Sequence, residues 1–394
     1  MAGLAAALQA LGVEAVVSAP QDPEFVELLV RANVKLAPAF MPIRQWVEEA
    51  KRAPIDMPKF AAKMVPAQYE AIYAAAAGCD AIVATGLFPS AAAARCVAEK
   101  RGLHYWQAAF CPLSLPSHHH RPHPRPGRPH PPEVTDPRAL WAQNIQDMDG
   151  LFGDAINAQR TSIGLATLAN IRDYVLTVRP LLACDSVLWP WRTTDLCDPL
   201  QTGVWILAAE RPLPADLEAF LNAGGPPVYG GFGSIALPST RDAAHAAILA
   251  IRAANRRAVL ARGWADNVLT DDQDDCFLVD EVNQQALFRR VTAIVHHGGA
   301  GTTATATRAG TPQIIVPQIV DQPYWAAKVS DLGVGVALDC PTLNFESLSV
   351  GIAAAIGPEI RSRVAAVAKS IRTDGAIVTA NLLIEFIRRS RACS

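Results

Sequence analysis

The chain has 394 residues, room for two or three domains at roughly 100–200 residues each, which excludes a single small binding module. Hydrophobic residues make up 51% and charged residues 18%, below the ~25% charged share usual for soluble domains, so much of the chain must be buried and neither a disordered nor a fibrous protein fits. Lys and Arg number 35 against 37 Asp and Glu, a net charge of −2, and no segment gathers the basic stripe that a phosphate backbone requires, so nucleic acid is not an expected partner.

The opening run Met1–Val17 is apolar but lacks a positive leading segment and a clear cleavage site, and is not read as a signal peptide. Residues 13–19 (VEAVVSA) form a β-branched run ending at Pro20, followed by a helix over Glu24–Arg31. A helix over Ala61–Ala77, a buried strand over Asp80–Thr85, a helix over Ser90–Lys100 closed by Gly102 and a strand over His104–Phe110 come next. Strands alternating with helices in short units predict a parallel sheet covered on both faces.

Residues 112–132 (PLSLPSHHHRPHPRPGRPHPP) interrupt the alternation. So much Pro leaves few backbone donors for a ladder and predicts an exposed, extended loop. Its five His invite a metal-site reading, but no apolar anchor or acidic partner is evident nearby to fix them in space, and a flap over a substrate is the preferred alternative. A helix resumes over Ala139–Ser162.

After the Pro-punctuated stretch Pro199–Pro214 the alternation restarts. Strands are predicted over Pro227–Phe232, Arg257–Arg262, Cys276–Val279 and Ala293–His296, and helices over Thr240–Ala254 and Gln284–Phe288. An amphipathic helix over about Val378–Arg389 closes the chain and is expected to return to the first domain. The fold class is α/β, with two such halves facing a crevice and ligands at the carboxyl ends of the strands. No apolar stretch of ~18 residues escapes charge, Pro or Gly, so no membrane span is expected. The eight cysteines are scattered without C-x-x-C or zinc spacing, as reduced thiols of a cytoplasmic protein would be.

The chemistry concentrates in residues 291–338, where a buried strand feeds the turn His296-His297-Gly298-Gly299-Ala300-Gly301 and a helix over Thr302–Arg308 stopped by Gly310. A helix start offers unpaired N–H groups and about half a positive charge, so an anion fits there. Glycines admit it to the backbone, Thr302 and Thr303 offer hydroxyls, and His297 can donate a hydrogen bond. A merely capped helix with two packed His is the alternative. Nineteen residues beyond Thr302, after a strand over Gln313–Val316 and Pro317, stands Asp321-Gln322. A carboxylate beside a carboxamide can take paired hydroxyls, as sugar sites do. Asp321 also suits the N-cap of a helix over Tyr324–Leu332 with Pro323 at its start.

VHHGGAGTT followed by PQIVDQPYWA resembles the donor-binding signature of family 1 glycosyltransferases of GT-B fold, in particular the antibiotic-tailoring branch. VYGGFGS, ARGWAD, EVNQQALF, LFGDAINAQRTSIGL, LQTGVWIL and SIRTDGA extend the likeness over most of the chain, toward the enzymes that glycosylate vancomycin-group aglycones. The resemblance implies two Rossmann-like domains facing a central crevice. Residues 1–198 would bind the acceptor, 199–214 link, 215–375 bind the nucleotide sugar, and 376–394 pack back as a helix. It implies that the base lies against the backbone at Val282, that Ser234, His297, Gly299, Gly301, Thr302 and Thr303 face the diphosphate, and that Asp321 and Gln322 face the sugar. It further implies an inverting transfer from a UDP- or TDP-hexose, without metal or other cofactor, by a monomer. In the family a first strand and a G-x-R-G-D-like loop bearing the general base precede the segment matched by Met1-Ala2-Gly3-Leu4. With that loop absent, Asp321 is the remaining candidate base and weak or no turnover is expected, since a general base contributes ~10²–10⁴-fold.

Two other readings stand beside this one. A nucleotide-sugar-binding pseudoenzyme would follow from the absent loop. An NADP-dependent oxidoreductase would use Gly231-Phe232-Gly233-Ser234-Ile235-Ala236 as a dinucleotide turn, with Arg256-Arg257 reading a 2′-phosphate. Within the transferase reading, macrolide or glycopeptidolipid acceptors compete with the heptapeptide.

Overall fold

In a computed structural model, residues 1–39, 41–52, 55–125, 128–231, 240–262, 273–338 and 344–392 are described. The chain divides into two units, one of Met1–Cys184, Trp191–Leu207 and Thr373–Ser394, the other of Asp185–Pro190 and Ala208–Arg372.

In the first unit, strands β1 (Val16–Ala19) and β2 (Lys35–Pro38) pair in parallel, and β3 (Ala81–Ala84), β4 (His104–Ala109), β5 (Leu181–Leu182) and β6 (Leu200–Gln201) form a second parallel sheet in that order. Its core is built on alanine. The Phe88–Arg101 helix buries Ala91–Ala94, Cys96, Val97 and Ala98 against Ala61, Val65 and Tyr69 of the Met57–Ala75 helix, because small side chains let two backbones approach closely. The last helix, Gly375–Ala392, buries Ala376, Ala380 and Leu383 with Leu4, Ala7 and Trp205 of this unit. The Trp205 indole donates to Thr379 Oγ1 at 2.7 Å and to Thr202 Oγ1 at 3.2 Å.

The second unit holds a six-stranded, all-parallel sheet of β7 (Val228–Gly231), β8 (Ala258–Ala261), β9 (Cys276–Val279), β10 (Ala293–His296), β11 (Gln313–Ile315) and β12 (Gly335–Ala337), ordered β12-β11-β10-β7-β8-β9. Counted along the chain this is the doubly wound order 3-2-1-4-5-6, whose direction reverses between β7 and β10. Side chains alternate between two cores. Val228, Leu260, Ala293 and Val295 pack on the helices Thr240–Ala253 and Phe345–Ala355, whereas Tyr229, Val259 and Ile294 pack with Leu217, Phe288 and Ala306.

Two expectations need correction. The helix expected over Ala139–Ser162 is interrupted: Pro137–Met148 and Asp154–Ser162 flank a π-helical turn at Asp149–Gly153, where the Asp149 carboxylate accepts from the Ile171 amide at 3.0 Å. The Pro-rich loop is not exposed throughout. Cys111, Pro112, Leu115, Pro116 and Ser117 are buried, Leu115 fully, so an apolar anchor exists. Its imidazoles bind the chain itself: His119 Nε2 donates to Thr193 O and His120 Nε2 to Leu115 O, both at 3.0 Å, and His130 Nε2 to Pro122 O at 2.8 Å. None of the six cysteines within the described residues is in a disulfide. Among the described residues no helix is long and apolar enough to cross a membrane.

Candidate active site

The reversal between β7 and β10 puts the ends of these two strands side by side, with His296 paired to Gly231 on one side and to Ile315 of β11 on the other. A crevice at such a reversal, outside the carboxyl ends of the strands, is where α/β sheets bind ligands. The glycine turn lies there. It is shorter than expected, because the helix begins at Ala300 rather than Thr302 and runs to Ala309, with Gly299 as N-cap and Gly310 closing it at φ 72°. The first helical donor used within the helix is Thr303 N, bound to Gly299 O at 2.9 Å, so the amides of Ala300, Gly301 and Thr302 precede the ladder.

Within the turn, only Gly298 demands glycine through its backbone conformation. Gly298 has φ +90°, and a Cβ on it would lie 2.7 Å from Ile315 Cγ2. A Cβ on Gly299 would lie 2.7 Å from His297 Nε2, whereas one on Gly301 meets nothing within 4 Å. Gly301 is therefore exposed at the helix start without a packing demand on its size.

The two histidines divide the work. His296 is completely buried, and burial, reinforced by His297, pushes its pKa down to about 3, so the ring is neutral. Its Nδ1 accepts from the Gly298 amide at 3.1 Å, which fixes the proton on Nε2, donated to Gln313 Oε1 at 3.0 Å. Gln313 Nε2 donates to Thr307 Oγ1 at 2.9 Å, and that hydroxyl to Thr303 O at 2.9 Å. A buried chain of hydrogen bonds thus ties β10 and β11 to the turn and to the helix. His297 is half-buried, and burial lowers its pKa while Asp321 raises it. Its Nδ1 is buried and has no hydrogen-bond partner among the described residues.

The remaining candidates fall into distinct places. Thr302 is half-buried at the helix start, but Thr303 is fully buried and its hydroxyl proton is spent on Gly299 O at 2.9 Å, leaving Thr302 to offer a hydroxyl outward. Asp321 immediately precedes the Gln322–Asp331 helix, yet its carboxylate makes no capping bond to that helix. It accepts instead from the Trp325 indole at 2.9 Å, which holds Oδ2 in place. Gln322 is 9% exposed, and its carbonyl oxygen accepts from the Gln318 and Ile319 amides at 2.7 and 3.0 Å, which leaves its NH₂ to act as donor. Val282 is half-buried in the loop after β9, beside Asn283, whose side chain caps the Gln284–Leu287 helix and binds Ala209 O and Arg211 O. Ser234 lies outside the described residues.

His296, Gln313, Thr307 and Trp325 are the functional neighbours that sequence reasoning passed over. The four-residue step from Asp321 to Trp325 was the one readable signal, since residues i and i+4 share a helix face. The dinucleotide alternative loses its phosphate reader. Arg257 stacks on the Phe220 ring and donates to the carbonyls of Phe220, Leu221 and Gly225, and both Arg256 and Arg257 precede β8 rather than follow it.

A family model described as Erythromycin biosynthesis protein CIII-like, C-terminal domain, matches residues 265–377. The glycosyltransferase GtfE of Amycolatopsis orientalis is 50% identical over 385 residues, covering 97% of this chain and 93% of its own. The vancomycin aglycone glucosyltransferase of the same organism is 46% identical over 392 residues, 99% of this chain and 95% of its own. Among solved structures, the glycosyltransferase VinC in complex with dTDP superposes with a TM-score of 0.68 at 17% identity, covering 99% of this chain and 96% of that one, a likeness of fold. With near-complete coverage at such identity, the chain belongs to the family 1 glycosyltransferases of GT-B fold, alongside the enzymes of vancomycin-group glycopeptides.

Proposed function

We propose that this glycosyltransferase moves a hexose from a UDP- or TDP-sugar to a hydroxyl of a vancomycin-type heptapeptide aglycone, with inversion at the anomeric carbon. The observation that carries the donor half is the start of the Ala300–Ala309 helix, whose first amides precede the hydrogen-bond ladder, beside a His297 that lies within electrostatic reach of the Asp321 carboxylate. The acceptor class rests on the likeness to the vancomycin aglycone glucosyltransferase.

The acceptor oxygen attacks the anomeric carbon as the nucleoside diphosphate leaves. Charge growing on the β-phosphate is met by the amides of Ala300, Gly301 and Thr302, the Thr302 hydroxyl and a neutral His297 that donates without carrying charge. These donors make a metal unnecessary. The Asp321 oxygen not held by Trp325 accepts from a sugar hydroxyl, the Gln322 amide donates to a second, and Asp321 is also the candidate proton acceptor. Thr303, Gly299 and Gly301 shape the turn, Ser234 is assigned to the same diphosphate, and the backbone near Val282 to the nucleotide base. Residues 1–198 form the acceptor domain, 199–214 the linker, 215–375 the donor domain and 376–394 a helix of the acceptor domain. The enzyme works as a monomer in the cytoplasm, where nucleotide sugars are made.

The test combines calorimetric titration of UDP- and TDP-glucose with mass spectrometry of the aglycone after incubation. A mass gain of one hexose with a β-linkage by NMR from an α-donor supports the reading. Donor binding without product, even in single turnover, would leave a nucleotide-sugar-binding protein instead.

A further inference from the structure

The donor-binding unit carries a second concavity at the other end of its sheet. A pocket of about 640 Å³ is lined by Arg256, Arg289, Arg361, Thr292, Thr311 and Ser362, with Pro226, Val291, Ala309, Pro312 and Ala365 among its apolar walls. Pro226 and Pro312 precede β7 and β11, and Val291 and Thr292 precede β10, so the pocket sits at the amino ends of the strands. His297 follows β10, whose four residues separate the two places by roughly 13 Å.

The three guanidiniums come from three segments. Arg256 lies between the Thr240–Ala253 helix and β8, Arg289 in the turn before β10, and Arg361 in the Pro358–Ala368 helix. Several other arginines of this unit have partners. Arg252 pairs with Asp275, Arg290 with Glu218, Arg257 with three carbonyls and Arg363 with Leu332 O. Among the described residues, no ion pair or hydrogen bond satisfies the side chains of Arg256, Arg289 or Arg361. Arg256 Nε is buried without a partner. The 11-residue Pro358–Ala368 helix adds its N-terminus, where Gly357 supplies no side-chain cap and Pro358, Arg361 and Ser362 line the pocket. Glu359 is in that first turn but is not a lining residue. Arg289 also lowers the pKa of half-buried Arg308, after burial itself, as crowded like charges do.

Arg289 and Arg361 are exposed and Arg256 is half-buried, so three guanidiniums line one concave surface with no carboxylate partner among the described residues, and their forked donors match phosphate oxygens. We propose that this pocket is a second anion site, separate from the sugar-donor diphosphate site, that takes a phosphate monoester or diphosphate through Arg256, Arg289 and Arg361. It does not depend on the catalytic assignment of His297 or Asp321.

The test titrates inorganic pyrophosphate into the full chain with UDP already saturating, and follows amide hydrogen exchange. One pyrophosphate should bind and protect the amides near 289–292 and 358–362. Arg361→Gln, an exposed position with little effect on folding, should weaken it about tenfold, and R256Q/R361Q more, as loss of charge-assisted bonds implies; UDP affinity should stay unchanged in both. The proposal is overturned by pyrophosphate affinity equal in wild type and R361Q, by protection confined to 297–303, or by displacement with chloride at matched ionic strength. If UDP itself fails to bind, the donor reading falls while the pocket is still read by the exchange pattern.

Discussion

His297 is where one side chain separates the chemistry from the scaffold. Its Nδ1 has no protein partner among the described residues although it is buried, a state that costs about 1–3 kcal/mol and is relieved when a ligand accepts from the ring. Replacing His297 with Ala should lower kcat by ~10²–10³, the cost of one donor to a developing oxyanion, and leave the melting temperature nearly unchanged or higher. Steady-state rates beside a thermal melt check both halves. An unchanged rate would remove His297 from the reaction. The two threonines next to it should split differently. T302A should weaken donor binding with little loss of stability, because its side chain is half-exposed. T303A should destabilise the protein by about 1–2 kcal/mol, since it removes a fully buried hydroxyl bonded to Gly299 O. Equal effects of both on donor affinity would contradict this division.

At the level of elements, the glycine turn is held by β11 as much as by its own strand. Substituting Gln313 with Leu leaves the His296 Nε2–H without its acceptor and Thr307 without its donor, in a place where Gln313, His296 and Thr307 are all fully buried. A loss of about 2–4 kcal/mol is expected from two such groups, measured as a shift of the denaturation midpoint. The same chain of bonds makes the unit acid-labile. The folded pKa of His296 is depressed from 6.5 to about 3, so below the unfolded value the unfolded chain takes up a proton that the native one refuses. Stability present above pH 6.5 is therefore lost progressively as the pH falls toward 3, on the order of 2 kcal/mol by pH 5. His296→Asn, whose side-chain oxygen can still accept from Gly298, should flatten that slope; an identical slope would assign the acid lability to other groups. The contrast also marks what the sequence could reveal. Ala293–His296 was readable because a strand buried on both faces is a short apolar run, and Cys276–Val279, a partly buried edge strand, is an apolar run of the same length. β5 and β6, two residues each, offered no periodicity to detect. The anion turn was legible from its glycines, but the pairing of His296 with Gln313, 17 positions away, depends on strand order, which local patterns do not encode.

Across the whole molecule, the chain's last segment is structurally part of its first unit. Ala376, Ala380 and Leu383 share one core with Leu4, Ala7, Leu181 and Trp205, and Arg391 pairs with Asp80 of the same unit. Amphipathic spacing at the carboxyl end foretold a helix; its partner could not be read locally, because the contacts join positions more than 170 residues apart, as Trp205 and Thr379 show. The donor sheet, by contrast, draws all six strands from Val228–Ala337. Removing residues 375–394 should therefore uncover Leu4 and Trp205 and loosen the first unit, while the amides of β7, β10 and β11 keep their protection and UDP still binds. Hydrogen exchange of the truncated protein reads both units in one measurement. Uniform loss of protection would mean that the two units fold only together; retained protection around Leu4 and Trp205 would mean that the helix contributes little to the core it caps.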